Sequence, residues 1–284
     1  LDRRWTVNDL DAVFAAADPV DGPLFTYQFD FRLLEPLVAA YGGTLFDYSI
    51  EPPTMRFTEA DTISALNRVI GLIDEGLIAT SEMIPGPSSP IAVFPGSPLQ
   101  STRYQPDGYD WLLPPRSEDI TPLSYMVGVG YISATTTQPE ACFRWLRAIS
   151  ENPTLLPGLP AITAAQNTPE YTAVRSPREV SILSAFNGAL QDDNVQRLPL
   201  TSNFSGSRST EHGTAYGQFS QAIMTVIEED RDLETALEIA AEQIEGYYAC
   251  AALIRPATTD PEDLEAFGRA HLTCLVQVDP EILQ

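Results

Sequence analysis

Between Thr58 and Gly76 the chain spaces its apolar residues for a helix, with Ile63, Leu66, Ile70, Ile73 and Leu77 recurring at intervals of three and four. Thr58 with Asp61 predicts a capping pair at its start, and Gly76 is placed to stop it. The same spacing recurs along the chain. Thr6 and Asp9 open a helix that carries Leu10, Val13, Phe14 and Ala17 on one stripe. Leu33, Leu34, Leu37, Val38 and Tyr41 mark a second helix that ends at Gly42-Gly43. Pro139 starts a third, with Cys142, Phe143, Leu146 and Ile149 on its inner face. Further helices are predicted from Ser176-Pro177-Glu179 to about Leu190, from about Gly213 to Ile227, from Asp232 to Leu253, and from Asp260-Pro261 to His271. Short β-like runs lie between them, at Leu24 to Tyr27, Ile91 to Phe94, Tyr109 to Leu113 and Tyr125 to Ser133. Strands interleaved with helices of this length predict an α/β fold.

Charge and composition remove several function classes. The 284 residues carry 39 acids against 16 bases, a net charge of −23, and every base is arginine. Such a surface repels phosphate backbones and anionic lipid, which disfavours nucleic-acid binding and polybasic membrane anchoring. With 44% apolar and 19% charged residues the chain can bury a core, so it is not a disordered sequence. No apolar run reaches the roughly 18 residues that a membrane span needs. Three cysteines, Cys142, Cys250 and Cys274, lack zinc or redox spacing, and two histidines, His212 and His271, argue against a histidine metal centre. No cofactor is therefore expected. The chain starts at Leu1 without an initiator methionine or a signal-peptide pattern, which reads as processing or a fragment.

Several stretches, in this order, resemble the bacterial extracellular solute-binding proteins of family 1, the substrate-binding proteins of ABC importers that include maltose- and oligosaccharide-binding members. They are Trp5-Thr6-Val7-Asn8-Asp9-Leu10; Leu37 to Phe46 with its Gly42-Gly43; Phe57-Thr58-Glu59-Ala60 leading to Leu72-Ile73-Asp74-Glu75-Gly76-Leu77; Gly128 to Ala134 followed by Gln138 to Leu146; and Gly158-Leu159-Pro160-Ala161. The resemblance implies a periplasmic-binding-protein-like, type II second lobe formed by residues 1–120 and 176–250. It also implies a crossover segment, 121–175, belonging to the first lobe, and a C-terminal extension, 251–284. Most of the family's first lobe has no counterpart in this sequence, and a preceding region or a separate peptide would have to supply it. The crossover segment would then be cut off from most of its sheet, and this chain would bind solute weakly or not at all.

On the same footing, the function implied is capture of a saccharide or related polyol and its delivery to a membrane ABC permease, outside the cytoplasm, with anchorage through a region not present here. No covalent chemistry is implied. Such proteins close two lobes over the solute, stacking aromatic faces on it and hydrogen bonding its polar groups. The loop Tyr27-Gln28-Phe29-Asp30-Phe31-Arg32 is the candidate second-lobe wall: Asp30 would accept hydroxyl protons, Arg32 would clamp an acidic group or hydroxyl pair, and Phe29 or Tyr27 would stack. The plain alternative is that Asp30 caps the helix while Phe29 and Phe31 pack beneath it. Phe94-Pro95-Gly96-Ser97-Pro98 stands where the family carries a tryptophan-bearing ligand loop; Phe94 and Ser97 are candidates there, although the tryptophan is lacking. Tyr216 lies about where some relatives place a stacking aromatic, with a half-buried core tyrosine as the alternative. Cys250 and Cys274 flank the extension and are candidates for a disulfide that would pin the tail in an oxidising compartment. Two other functions share these features: a ligand-sensing ectodomain of a signalling protein, and a carbohydrate-active hydrolase working through paired carboxylates, for which the acidic runs at Glu228 to Asp230 and Asp260 to Glu265 read better as solvated helix ends.

Overall fold

A computed structural model describes residues 5–16, 23, 25–28, 34–50, 52–81, 91–93, 112–125, 130–152, 154–155, 166, 168–199, 207–255 and 260–280. In chain order its helices are α1 (Val7–Ala15), α2 (Glu35–Ala40), α3 (Ala60–Asp74), α4 (Pro139–Glu151), α5 (Pro169–Ala173), α6 (Pro177–Leu190), α7 (Ser207–Glu229), α8 (Leu233–Ala251) and α9 (Pro261–Val278). Its strands are β1 (Phe25–Gln28), β2 (Phe46–Asp47), β3 (Thr54–Met55), β4 (Ile78–Ser81), β5 (Ile91–Val93), β6 (Thr121–Tyr125) and β7 (Val195–Pro199).

Local chemistry sets several of these ends. The Thr6 hydroxyl accepts from the Asp9 amide while the Asp9 carboxylate accepts from the Thr6 amide, a reciprocal cap that opens α1. Ser176 and Glu179 do the same for α6, with Pro177 at its first position. The start of α3 differs from the sequence expectation. Its cap is Glu59 rather than Thr58, and no side chain bonds the free amides; Glu59 instead pairs with Arg56 at 2.7 Å. Gly76 ends α3 in the left-handed region, φ 73°, which a side chain would strain. After α2, Gly43 lies so close to α3 that an added Cβ would sit 2.8 Å from Val38 and 2.9 Å from Ala65. Thr62, buried on α3, closes this approach by donating to the Thr44 carbonyl and accepting from the Thr44 amide.

Two parallel sheets emerge. β1 lies between β4 and β5 with all three parallel, and β6 pairs in parallel with β7, Thr121 opposite Val195 and Tyr125 opposite Pro199. Of the strand expected over Tyr125 to Ser133, Tyr125 ends β6 and 130–133 form no strand, while 126–129 lie outside the described residues; β6 starts earlier, at Thr121, where its pairing is set by β7, about seventy residues away in sequence. β6 also packs on α2. The Trp5 indole donates to the Leu113 carbonyl at 2.7 Å, tying the 112–117 segment to the start of α1.

One core gathers α1, α2, α3, α7 and α8. Leu66, Val69, Ile70 and Leu72 of α3 meet Phe219 and Ile223 of α7 and Leu237, Ala240 and Ile244 of α8. Each of the larger side chains contributes on the order of 1.5–3 kcal/mol by leaving water. α9, which continues past the expected end at His271 to Val278, packs on α8: Val278 would meet any Cβ added at Gly246 at 2.9 Å, and Tyr247 Oη bonds His271 Nδ1 at 2.8 Å; just past its end, Asp279 accepts from Gln218 of α7 at 3.1 Å. A disulfide joins Cys250 and Cys274, whose Cα atoms are 5.6 Å apart.

α4 stands apart from this core. None of its residues is buried, and Phe143 and Trp145 are 55% and 65% exposed, so the inner face expected for Phe143 has nothing over it among the described residues. Leu146 packs back on Gly130 of its own approach segment, where a Cβ would lie 2.5 Å from its methyl. Cys142 is a half-buried free thiol rather than a fully buried one.

Two outcomes follow from this packing. Closing a loop of 24 residues, the disulfide adds about 3 kcal/mol by restricting the unfolded chain; chemical denaturation of the Cys250→Ser, Cys274→Ser double variant should show that loss, and reduction of the native chain should reproduce it. Replacing Phe143 and Trp145 by serine should lower binding of a hydrophobic dye while leaving the unfolding midpoint in place, since neither side chain supports the core.

Candidate functional site

Parallel strands deliver their carboxyl ends to one edge, and ligands of open α/β sheets bind beyond that edge. Here the edge is set by Gln28 of β1 opposite Ser81 of β4, and by Tyr27 of β1 opposite Val93 of β5. Neighbouring strands are about 4.8 Å apart. The chain therefore leaves β1 toward Phe29, Asp30 and Arg32, and leaves β5 toward Phe94 and Ser97, from adjacent points on the same edge. Of the residues expected to face a ligand, Tyr27 lies in β1, its backbone paired with Thr80 and Val93. Phe29, Asp30, Arg32, Phe94 and Ser97 lie outside the described residues.

Tyr216 sits elsewhere. On α7 it is 4% exposed, its ring centroid 4.8 Å from Phe46, 5.0 Å from His212 and 6.3 Å from Phe219. Its hydroxyl donates to Glu35 Oε2 and lies 3.2 Å from the Tyr48 hydroxyl. This is the surrounding of a core tyrosine, the alternative left open for it, because α7 buries the face on which Ala215, Tyr216 and Phe219 stand.

The cluster around Tyr216 is a polar site that sequence reasoning missed. Glu35, the first residue of α2, is 4% exposed; its Oε1 accepts from Tyr48 Oη at 2.8 Å and its Oε2 from Tyr216. Burial raises the carboxyl to about 7, against the lowering effect of the two hydroxyls. Burial and the neighbouring carboxylate push both tyrosines well above their ordinary value. His212, 1% exposed, rests edge-on against Tyr48 and Tyr216 with centroids at 5.4 and 5.0 Å. One signal for this site was visible: Glu35 is a single acid inside the apolar run Leu33-Leu34-Glu35-Pro36-Leu37-Val38.

No group of three histidine, cysteine or acidic side chains placed to hold a metal occurs among the described residues. Leu34, Val38, Leu45, Phe219 and Ile223 help to line a void of about 10 Å³, at the lower limit for one water and lined by apolar residues only.

The fold formed by these elements is like that of part of a solved ABC substrate-binding protein. It is similar to the ABC substrate-binding protein Lmo0181 from Listeria monocytogenes, solved in complex with cycloalternan, with a TM-score of 0.55 and 13% identity over 87% of this chain. The chain spans 64% of that protein, less than two thirds of its length. No family model matches the sequence, and no curated protein matches it.

Phe46 touches five aromatic rings, those of Tyr48, Phe57, His212, Tyr216 and Phe219, and is 1% exposed. Phe46→Ala should cost about 3–5 kcal/mol in a denaturant melt, and a loss below about 1 kcal/mol would mean that these rings do not close on one another as described.

Proposed function

We propose that this chain is the larger part of an extracytoplasmic solute-binding protein that captures a saccharide or related polyol for an ABC permease. The observation that carries the reading is the shared carboxyl edge of the β4-β1-β5 sheet, where β1 ends at Gln28 and β5 at Val93 on adjacent strands; in the sequence Phe29-Asp30-Phe31-Arg32 and Phe94-Pro95-Gly96-Ser97 come next. An aspartate and an arginine supply the acceptor and the forked donor that hydroxyl pairs take, and phenylalanines supply apolar faces for the sugar's C–H side. Likeness of fold to a protein solved with a cyclic oligosaccharide supports the class of solute. The disulfide supports an oxidising compartment. The permease partner and the absence of covalent chemistry belong to the same proposal.

Because the chain spans only part of the length of its structural neighbour, its affinity is expected to be weak, which makes saturation-transfer NMR the suitable measurement. Cycloalternan and linear glucose oligosaccharides should receive saturation from the protein, free amino acids should not, and Asp30→Ala or Arg32→Ala should abolish the transfer without changing the unfolding midpoint. Absence of transfer to every saccharide and polyol tested would remove the sugar reading.

A further inference from the structure

Glu35, Tyr48 and Tyr216 form a closed triangle of oxygen atoms. Tyr48 Oη meets Glu35 Oε1 at 2.8 Å, Tyr216 Oη meets Glu35 Oε2, and the two hydroxyls meet at 3.2 Å. Each of these three contacts between oxygens needs one proton to be a hydrogen bond. Two tyrosine hydroxyls bring two protons. With an ionised carboxylate one side of the triangle is left as bare oxygen against oxygen inside the core, whereas a carboxylic acid supplies the third proton and closes the ring. We infer that Glu35 is a proton-holding residue, neutral in the folded protein, and that its ionisation is the event that loosens α2 from α7.

The surroundings fit a neutral group. Facing the carboxyl are the Tyr48 hydroxyl from the turn after β2 and the Tyr216 hydroxyl from α7. His212 of α7 lies behind both rings, and Tyr125 at the end of β6 acts on Tyr48. α3, β6 and β7 also pack on α2, and among the described residues they bring no charge that bears on Glu35. An ionised carboxylate at this depth would face two hydroxyls and, among the described residues, no cation, in a chain whose net charge is already −23.

The direction of the pH effect is fixed. Below about 4.5 the carboxyl is neutral in both folded and unfolded chains, and its contribution to stability is fully present. As the pH rises the unfolded chain ionises first, while the folded one keeps its proton to about 7, so stability is lost across that window and then levels off. The folding equilibrium constant should fall by about three hundredfold across this window from this group alone, since the proton is held about tenfold more tightly for each pH unit that separates ionisation of the folded and unfolded chains.

The test compares urea unfolding of the native chain with that of Glu35→Gln over the range from about pH 3 to about pH 8, which brackets ionisation in both states. Glutamine carries the same two-sided donor and acceptor pattern as the neutral acid, so the variant should match the native chain at the acid end of the range and exceed it at the alkaline end. Parallel pH profiles for the two proteins would overturn the inference. Carbon-13 NMR of glutamate-labelled native protein gives a second readout that does not depend on the variant folding. One carboxyl resonance should titrate near neutrality, with α2 amides exchanging faster above that midpoint, and Tyr48→Phe should move the midpoint upward by removing a donor that favours the charged form. If every glutamate carboxyl titrates in the ordinary acid range, Glu35 holds no proton at neutral pH and the inference fails.

Discussion

The packing of Phe46 against Tyr216 is the contact on which the rest of the main core leans. Phe46 comes from a two-residue strand with little hydrogen bonding of its own, so its position is held by rings from α7 and by Phe57 rather than by a ladder. That contact sets how far α7 approaches α2, and through α7 it sets the seat of α8, whose Leu237, Ala240 and Ile244 complete the interior. α9 is seated in turn on α8. The order of dependence runs from an aromatic cluster outward to the helices, and the sheets take their places at its margin.

Much of the helical skeleton could be read from local chemistry, because caps and stripes are decided within a few residues. Thr6 with Asp9 and Ser176 with Glu179 make the bonds that their spacing predicts. Where distant segments decide, spacing alone misplaces the element. α3 begins one residue later than its threonine suggested, since no side-chain bond fixes that end and the Arg56–Glu59 pair occupies it. β7, with Arg197 and Pro199 in five residues, carries no alternation of its own and exists because β6 lies beside it. The same long-range pairing places β6 at Thr121–Tyr125, where local spacing predicts no strand start.

Apart from Tyr27 and Tyr216, the residues expected to line a ligand wall follow two strands that the structure pairs side by side, β1 and β5, and lie outside the described residues. Glu35 left one signal, a lone acid in an apolar run, but its burial did not follow from it, because an acid at the start of a helix ordinarily faces water and the positive end of the helix dipole. Its burial depends on a tyrosine 13 residues away and another 181 residues away, and neither distance leaves a trace in periodicity.

The covalent link between α8 and α9 has a consequence for how the chain breaks. The connection between these helices lies inside the loop that Cys250 and Cys274 close. A single cut there releases no fragment: the severed α9 stays bound through sulfur, held against Tyr247 and Gly246, and the protein keeps its apparent size until a reductant is added. The tail is thus retained by topology, independently of the peptide bonds that lead to it.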